Sequence, residues 1–126
     1  VIHAAACTSL VSVYEARRTN VVGTRVLAQQ FCGARKLARF LYVSTGYRCG
    51  ALEHAVVRED DASSPRHVVE YTRTKAEAEA TLQAMSDLPL VIARPSIVVG
   101  HTRLGVGPSA SLFWYYRALA QAPTHA

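Results

Sequence analysis

Phe40-Leu41-Tyr42-Val43-Ser44-Thr45-Gly46 decides the fold, because four β-favouring residues give way abruptly to two hydroxyls and a glycine. Such a run reads as a strand that ends in a loop. Upstream, from about Val13 to Phe31, the apolar positions Val22, Val26, Leu27 and Phe31 recur at helical spacing, and Gly33 followed by Arg35 and Lys36 closes a crossover helix. Val1-Ile2-His3-Ala4-Ala5-Ala6 is a short apolar run of small residues with an abrupt start, read as a buried strand end. Downstream, Arg48 to Arg66 mixes Gly50, Glu59, Asp60, Asp61, two serines and Pro65, and predicts a surface loop. An Ala- and Glu-rich helix is expected from about Val68 to Met85, with Lys75 and Glu79 placed for a weak i,i+4 contact. Leu88 to Ala93 gives a third strand, closed at Arg94-Pro95 because proline cannot donate to a ladder. Gly100, Gly105, Gly107 and Pro108 predict a loop, and Ser109 to Gln121 a last short helix.

Strand, helix, strand, helix, strand is the order of a parallel sheet with crossover helices, so the expected class is α/β. Ligands in such sheets sit beyond the carboxyl ends of the strands, here Ala5-Ala6, Ser44-Thr45 and Arg94-Pro95-Ser96. With 126 residues, half of them hydrophobic, the chain has room for one domain with a real core. No apolar run approaches the ~18 residues of a membrane span. The chain begins at Val1 with no basic region ahead of an apolar stretch, so no secretory signal is read. Cys7, Cys32 and Cys49 are an odd number at wide spacing, which argues against a disulfide framework or a zinc cluster and favours the reducing cytoplasm. The formal charge of +5 favours anionic partners in general. The positive residues are dispersed, from Arg17 and Arg18 to Arg103, without a dense run or an aromatic platform, which argues against nucleic acid.

Tyr71-Thr72-Arg73-Thr74-Lys75 carries the chemistry. Four residues apart in a helix, the phenol and the ammonium share a face. A phenol titrates near pH ~10, and a fixed cation a few ångströms away stabilises the phenolate, so the tyrosine can exchange a proton nearer neutrality. Carbonyl reduction by a nicotinamide cofactor needs that proton and a hydroxyl that donates to the oxygen as charge develops.

Five landmarks stand in order: His3-Ala4-Ala5, Thr19-Asn20-Val21-Val22-Gly23-Thr24, Val43-Ser44-Thr45 with Gly50, Tyr71 to Lys75, and Arg94-Pro95-Ser96-Ile97-Val98-Val99-Gly100. With them the chain resembles the C-terminal part of the nucleotide-binding domain of an extended short-chain dehydrogenase/reductase, in the NAD-dependent epimerase/dehydratase superfamily. It looks most like the acyl-thioester reductase or fatty acyl-CoA reductase-like branch. The resemblance covers about residues 1 to 107. It implies a partial Rossmann-like fold, three parallel strands with crossover helices and the first half of the domain missing. Residues 1 to 126 would then be a single partial NAD(P)-binding domain, with 108 to 126 starting a substrate-side helix. Without a glycine-rich turn for the pyrophosphate, the isolated chain is expected to be marginal, aggregation-prone and inactive.

By the same resemblance Tyr71 is the general acid/base, Lys75 lowers its pKa and holds the cofactor's ribose, and Thr45 orients the substrate oxygen, with Ser44 as runner-up. Asn20 is implied near the nicotinamide, holding the lysine or a water. Ala4 and Ala5, and more weakly His3, would meet the cofactor, as would Ser44 and the Pro95-Ser96-Ile97 segment. The cofactor would be NADP or NAD, and the substrate a small carbonyl compound or a carrier-bound acyl thioester. A nucleotide-sugar epimerase or dehydratase is the nearest rival, although Gly46 and Tyr47 follow Thr45 where dehydratases place an acidic pair. A non-enzymatic remnant or interaction module is the reading from another class. Gly23 suggests a close approach of its helix to the sheet, and Leu112 to Tyr116 an aromatic core segment.

Overall fold

The computed structural model describes residues 1–9, 12–61 and 66–98. The chain divides into two compact units, Val1–Ser96 and Ile97–Ala126. The loop with Gly100, Gly105, Gly107 and Pro108, the helix expected over Ser109 to Gln121 and the aromatic run from Leu112 lie outside the described residues. Of the second unit, Ile97 is half-buried and Val98 exposed.

The first unit is an α/β arrangement around a three-stranded parallel sheet in the order β1-β2-β3. β1 is Ile2–His3, β2 is Phe40–Val43 and β3 is Leu90–Ala93. Ile2 pairs with Leu41 and His3 with Tyr42, and Phe40 to Val43 pair with Leu90 to Ala93 in step. β2 is the central strand, and Phe40 and Tyr42 are fully buried with Ala28, Ala78, Leu82 and Leu88 in one apolar core. β3 starts two residues later than expected, because the chain turns at Leu88 and Pro89 offers its carbonyl, but no N–H, to Phe40.

β1 is much shorter than the run from Val1 to Ala6 predicts. The cause is visible at Cys7, whose backbone N–H donates to Asn20 Oδ1 at 2.8 Å while its carbonyl accepts from Asn20 Nδ2 at 2.9 Å. A side chain takes over from the ladder, and the strand ends. The edge strand β1 is two residues long, a length at which a sheet edge is blunted.

The crossover helix runs in three pieces: α1 at Val13–Ala16, a wider π-helical stretch at Arg17–Gly23 and α2 at Thr24–Gln29. Its inner face differs from the one the apolar spacing indicated. Val22 and Val26 are exposed, and Ala16, Asn20, Val21, Thr24 and Ala28 are buried. Two of those five residues are polar, so apolar periodicity placed Leu27 and Phe31, which pack against the core, correctly but Val22 and Val26 on the wrong side. Gly23 is exposed, and a Cβ there would meet the carbonyl oxygen of Arg18 in the same helix, so the expected approach to the sheet is not its role.

α3, Glu70–Gln83, buries Thr74, Lys75, Ala78, Glu79 and Leu82. The two helices meet through polar contacts: Asn20 Nδ2 donates to Thr74 Oγ1 at 3.0 Å, and Arg17 grips Glu77 bidentately at 2.8 and 2.7 Å. Between β2 and α3 the chain makes a short 3-10 turn at Gly46–Cys49, and beyond Gly50 the described residues are irregular, as expected. Arg48, expected in a surface loop, is buried. No described helix is long and apolar enough to cross a membrane.

Asn20 closes three buried hydrogen bonds, so Asn20→Ala should lower stability by about 2 to 3 kcal/mol, the cost of leaving buried partners unpaired. The check is urea unfolding, with a lower midpoint and an unchanged slope. Asn20→Asp should also destabilise, because a carboxylate keeps the acceptor for the Cys7 N–H but turns an oxygen towards the Cys7 carbonyl.

Candidate active site

The sheet register sets the frame. Parallel pairing brings the carboxyl ends of β2 and β3 level, and the chains stay joined past the strands: Ser44 N–H donates to the Ala93 carbonyl at 2.7 Å and Gly46 N–H to the Pro95 carbonyl at 2.9 Å. Ser44 and Thr45 therefore stand beside Arg94 and Pro95, while Ala4 and Ala5, both exposed, leave the end of β1. Pro95 and Ser96 are exposed at the same edge, and Ile97 falls in the second unit.

Thr45 is extended and caps the 3-10 turn, its Oγ1 accepting from Tyr47 N–H at 3.3 Å. That bond uses the hydroxyl as acceptor and leaves its proton free to donate. Ser44 is 4% exposed, and its Oγ has no partner among the described residues. A buried hydroxyl with no bond is rare in a folded protein and marks a place where a bound group completes the set.

Lys75 projects from α3 onto this edge. Its Nζ donates to the Val43 carbonyl at 2.7 Å and lies 4.3 Å from the Tyr42 ring centroid, a cation–π contact. At 1% exposure the ammonium is desolvated, which lowers its pKa to about 8, against the opposing pull of the Glu79 charge. Tyr71, one turn earlier, is half-buried, and burial pushes its phenol above the ordinary value. That direction is opposite to the lowering expected from a lysine partner. The physical reason is burial, which disfavours the phenolate. Glu79 does not pair with Lys75, because its carboxylate goes to Arg48 and Arg94.

Two expected contacts turn inward. His3 is buried, its Nε2 2.9 Å from Thr24 Oγ1 and its ring against Phe40 and Tyr42, and burial first, then the Lys75 charge, lower its pKa. Asn20 is 1% exposed with both amide protons and its oxygen committed to Cys7 and Thr74. Both support the site from behind. Tyr42, which the sequence marks only as part of a strand, is the surface on which the lysine rests. Burial pushes its phenol well up, and the charges of Glu79 and Tyr71 add to the effect. Its place opposite His3 in the ladder could have flagged it.

A nicotinamide dinucleotide fits this edge by its chemistry. The unpartnered Ser44 hydroxyl, the small Ala4 and Ala5 and the exposed Pro95-Ser96 segment offer donors and close backbone approach. A parallel α/β sheet with hydroxyls at one strand end and a Tyr-x-x-x-Lys helix beside it defines the NAD(P)-binding domain of extended short-chain dehydrogenases/reductases. The profile of the family described as male sterility protein matches residues 1–122, and the chain belongs to that family.

The match runs from the first residue, and this corrects the expectation of a partial Rossmann-like fold with its first half missing. What is present is an α/β three-stranded parallel sheet with its helices. No curated protein matches the chain. Among solved structures it is similar to the terminal R domain from the myxalamid PKS-NRPS biosynthetic pathway, at 29% identity and a TM-score of 0.76 over 89% of the chain. It is also similar to the Bordetella bronchiseptica enzyme WbmH in complex with NAD+, at 26% and 0.73 over 95% of the chain. A UDP-glucuronic acid 4-epimerase from Bacillus cereus in complex with NAD gives 26% and 0.66 over 79%. The chain spans 29%, 38% and 33% of the lengths of these three proteins.

The depressed Lys75 pKa has a consequence for stability. Between about pH 8 and the ordinary lysine value of 10.5, the unfolded chain holds a proton that the folded chain has released, so stability rises with pH there. The raised phenols act oppositely above about pH 10. Chemical unfolding between pH 7.5 and 9.5 should show the rise, and Lys75→Met should remove it.

Proposed function

We propose that the chain carries the proton-transfer residues of an NAD(P)-dependent reductase site, in which Tyr71 gives a proton to a carbonyl oxygen while hydride reaches the carbonyl carbon. The single observation that carries this is the buried Lys75 ammonium, fixed on the Val43 carbonyl one helical turn from Tyr71 and two residues from Thr45. A nicotinamide cofactor, NADP or NAD, supplies the hydride when bound. Ala4, Ala5, Ser44, Pro95, Ser96 and Lys75 would hold it, with Asn20 and His3 fixing the wall behind them.

The chain's own residues do the rest. The Thr45 hydroxyl donates to the carbonyl oxygen as negative charge grows on it. Tyr71 Oη passes its proton to that oxygen, and the phenolate left behind is stabilised by the Lys75 charge nearby. Because burial holds the free phenol above its usual value, Tyr71 keeps its proton at neutral pH and starts the cycle as the acid. A pKa of about 8 lets Lys75 exist in both forms near neutrality, which suits a group that follows the tyrosine's charge.

The substrate we favour is an acyl thioester, free or carrier-bound, on two supports: membership of the male sterility protein family and the likeness to the R domain. The likeness to WbmH and to the B. cereus epimerase supports a nucleotide-sugar reading. Against its dehydratase form stands the turn after Thr45, where Gly46 and Tyr47 offer no carboxylate. The three free thiols suit a reducing compartment such as the cytoplasm.

Tyr71→Phe should lower the turnover of NAD(P)H with an acyl thioester by about 100-fold or more while cofactor affinity stays within about threefold, because only the phenolic proton is lost. Stopped-flow absorbance of the nicotinamide and a fluorescence titration measure the two quantities. Turnover equal to wild type would overturn the mechanism.

A further inference from the structure

Tyr71, Lys75 and Glu79 follow at four-residue steps on α3, so the three share one face. The proposed reduction uses the first two and leaves Glu79 without a task, although its carboxylate is 2% exposed and elaborately bound. Arg94 Nε reaches its two oxygens at 3.1 and 3.2 Å, and Arg94 Nη2 donates to Oε2 at 2.8 Å. Arg48 Nε lies 3.3 Å from the same Oε2. The remaining arginine donors go to backbone: Arg48 Nη2 to the Asp61 carbonyl at 2.6 Å and to that of Glu59 at 3.5 Å, and Arg94 Nη1 to the Glu59 carbonyl.

One carboxylate thus ties four pieces of chain. It anchors in α3, holds the 3-10 turn through Arg48 and the exit of β3 through Arg94, and draws in the segment 59–61 through both. Between these anchors lie the backbone bonds that seat the site, Ser44 N–H on Ala93 and Gly46 N–H on Pro95, and Arg48 N–H closes the turn on the Thr45 carbonyl at 3.2 Å. Two guanidiniums share one buried carboxylate, so Glu79 is the member whose charge cannot be lost cheaply.

Resting on the reduction reading, we propose that Glu79 is a positioning residue: through Arg48 and Arg94 it sets the Thr45 turn and the Pro95 segment against the helix that carries Tyr71 and Lys75. Glu79 touches neither substrate nor cofactor. It acts through the two arginines, and its effect is to fix where the Thr45 hydroxyl and the Pro95 backbone stand relative to the lysine.

The test is Glu79→Gln beside Glu79→Asp, read by amide hydrogen exchange and by steady-state kinetics. In Glu79→Gln the amides of Gly46 and Arg48 should exchange at least tenfold faster, while the ladder amides of β2 and β3 and the amide of Leu82 keep wild-type rates. Turnover with NAD(P)H and an acyl thioester should fall at least tenfold, and Glu79→Asp should recover most of both. Should Glu79→Gln fail to fold, Arg48→Met removes one arm of the clasp and should give the same local exchange pattern. Uniform acceleration of exchange across the chain, or unchanged rates at Gly46 and Arg48, would overturn the proposal. Wild-type protein without nicotinamide-dependent turnover counts against the reductase reading alone, and the exchange pattern still decides the clasp.

Discussion

The Lys75 ammonium, buried against the Val43 carbonyl and the Tyr42 ring, constrains everything around it. A cation removed from water needs compensating acceptors and opposite charges, or it gives up its proton. Here one carbonyl, one aromatic face and the charge of Glu79 supply that compensation in part, and burial still lowers the pKa to about 8. The same contacts fix the helix to the sheet. Moving α3 along its axis would strand the ammonium, so the register between α3 and β2 is set by electrostatics as much as by the apolar core.

This constraint explains the unusual polarity beneath the site. His3, Thr24, Tyr42, Asn20, Thr74, Lys75 and Glu79 are all buried, and they form the interface between the crossover helix, the central strand and α3. The apolar core cluster gathers Phe40, Ala28, Ala78, Leu82 and Leu88, and Tyr42 belongs to both sets. A core divided this way sacrifices some hydrophobic stabilisation for direction, because hydrogen bonds position groups to tenths of an ångström where apolar contacts tolerate sliding. The π-helical stretch fits that arrangement. Its wider turn carries Asn20, whose amide answers both Cys7 and Thr74.

The strand over Phe40–Val43, the helix behind Tyr71 and the parallel order of elements were legible because each rests on local pattern: β-favouring residues in a run, alanine-rich helical sequence, and proline or glycine at the ends. Harder to see was the inner face of the crossover helix. Asn20 and Thr24 point inward while Val22 and Val26 face solvent, and a method that equates burial with apolarity misplaces that stretch while still finding Leu27 and Phe31. β1 was read too long for a related reason, since only the fold reveals that the side chain of Asn20, 13 residues further along, bonds the backbone of Cys7 where a strand partner would otherwise stand.

The site shows the same division between what is local and what is not. Tyr71 and Lys75 are visible as a pair because helical geometry links i to i+4, and Thr45 because it ends a strand. Glu79 stands at the next step of that helix, yet its partners Arg48 and Arg94 lie in separate loops, 31 and 15 residues away in sequence. Local spacing assigned it to Lys75, the neighbour on its own helix. In the folded chain two guanidiniums outcompete one ammonium, because each offers several N–H groups in a planar fork and Lys75 already has an acceptor in Val43. The carboxylate is thereby shared between loops while its charge still bears on Lys75, so the geometry of the strand ends and the protonation of the lysine answer to one residue.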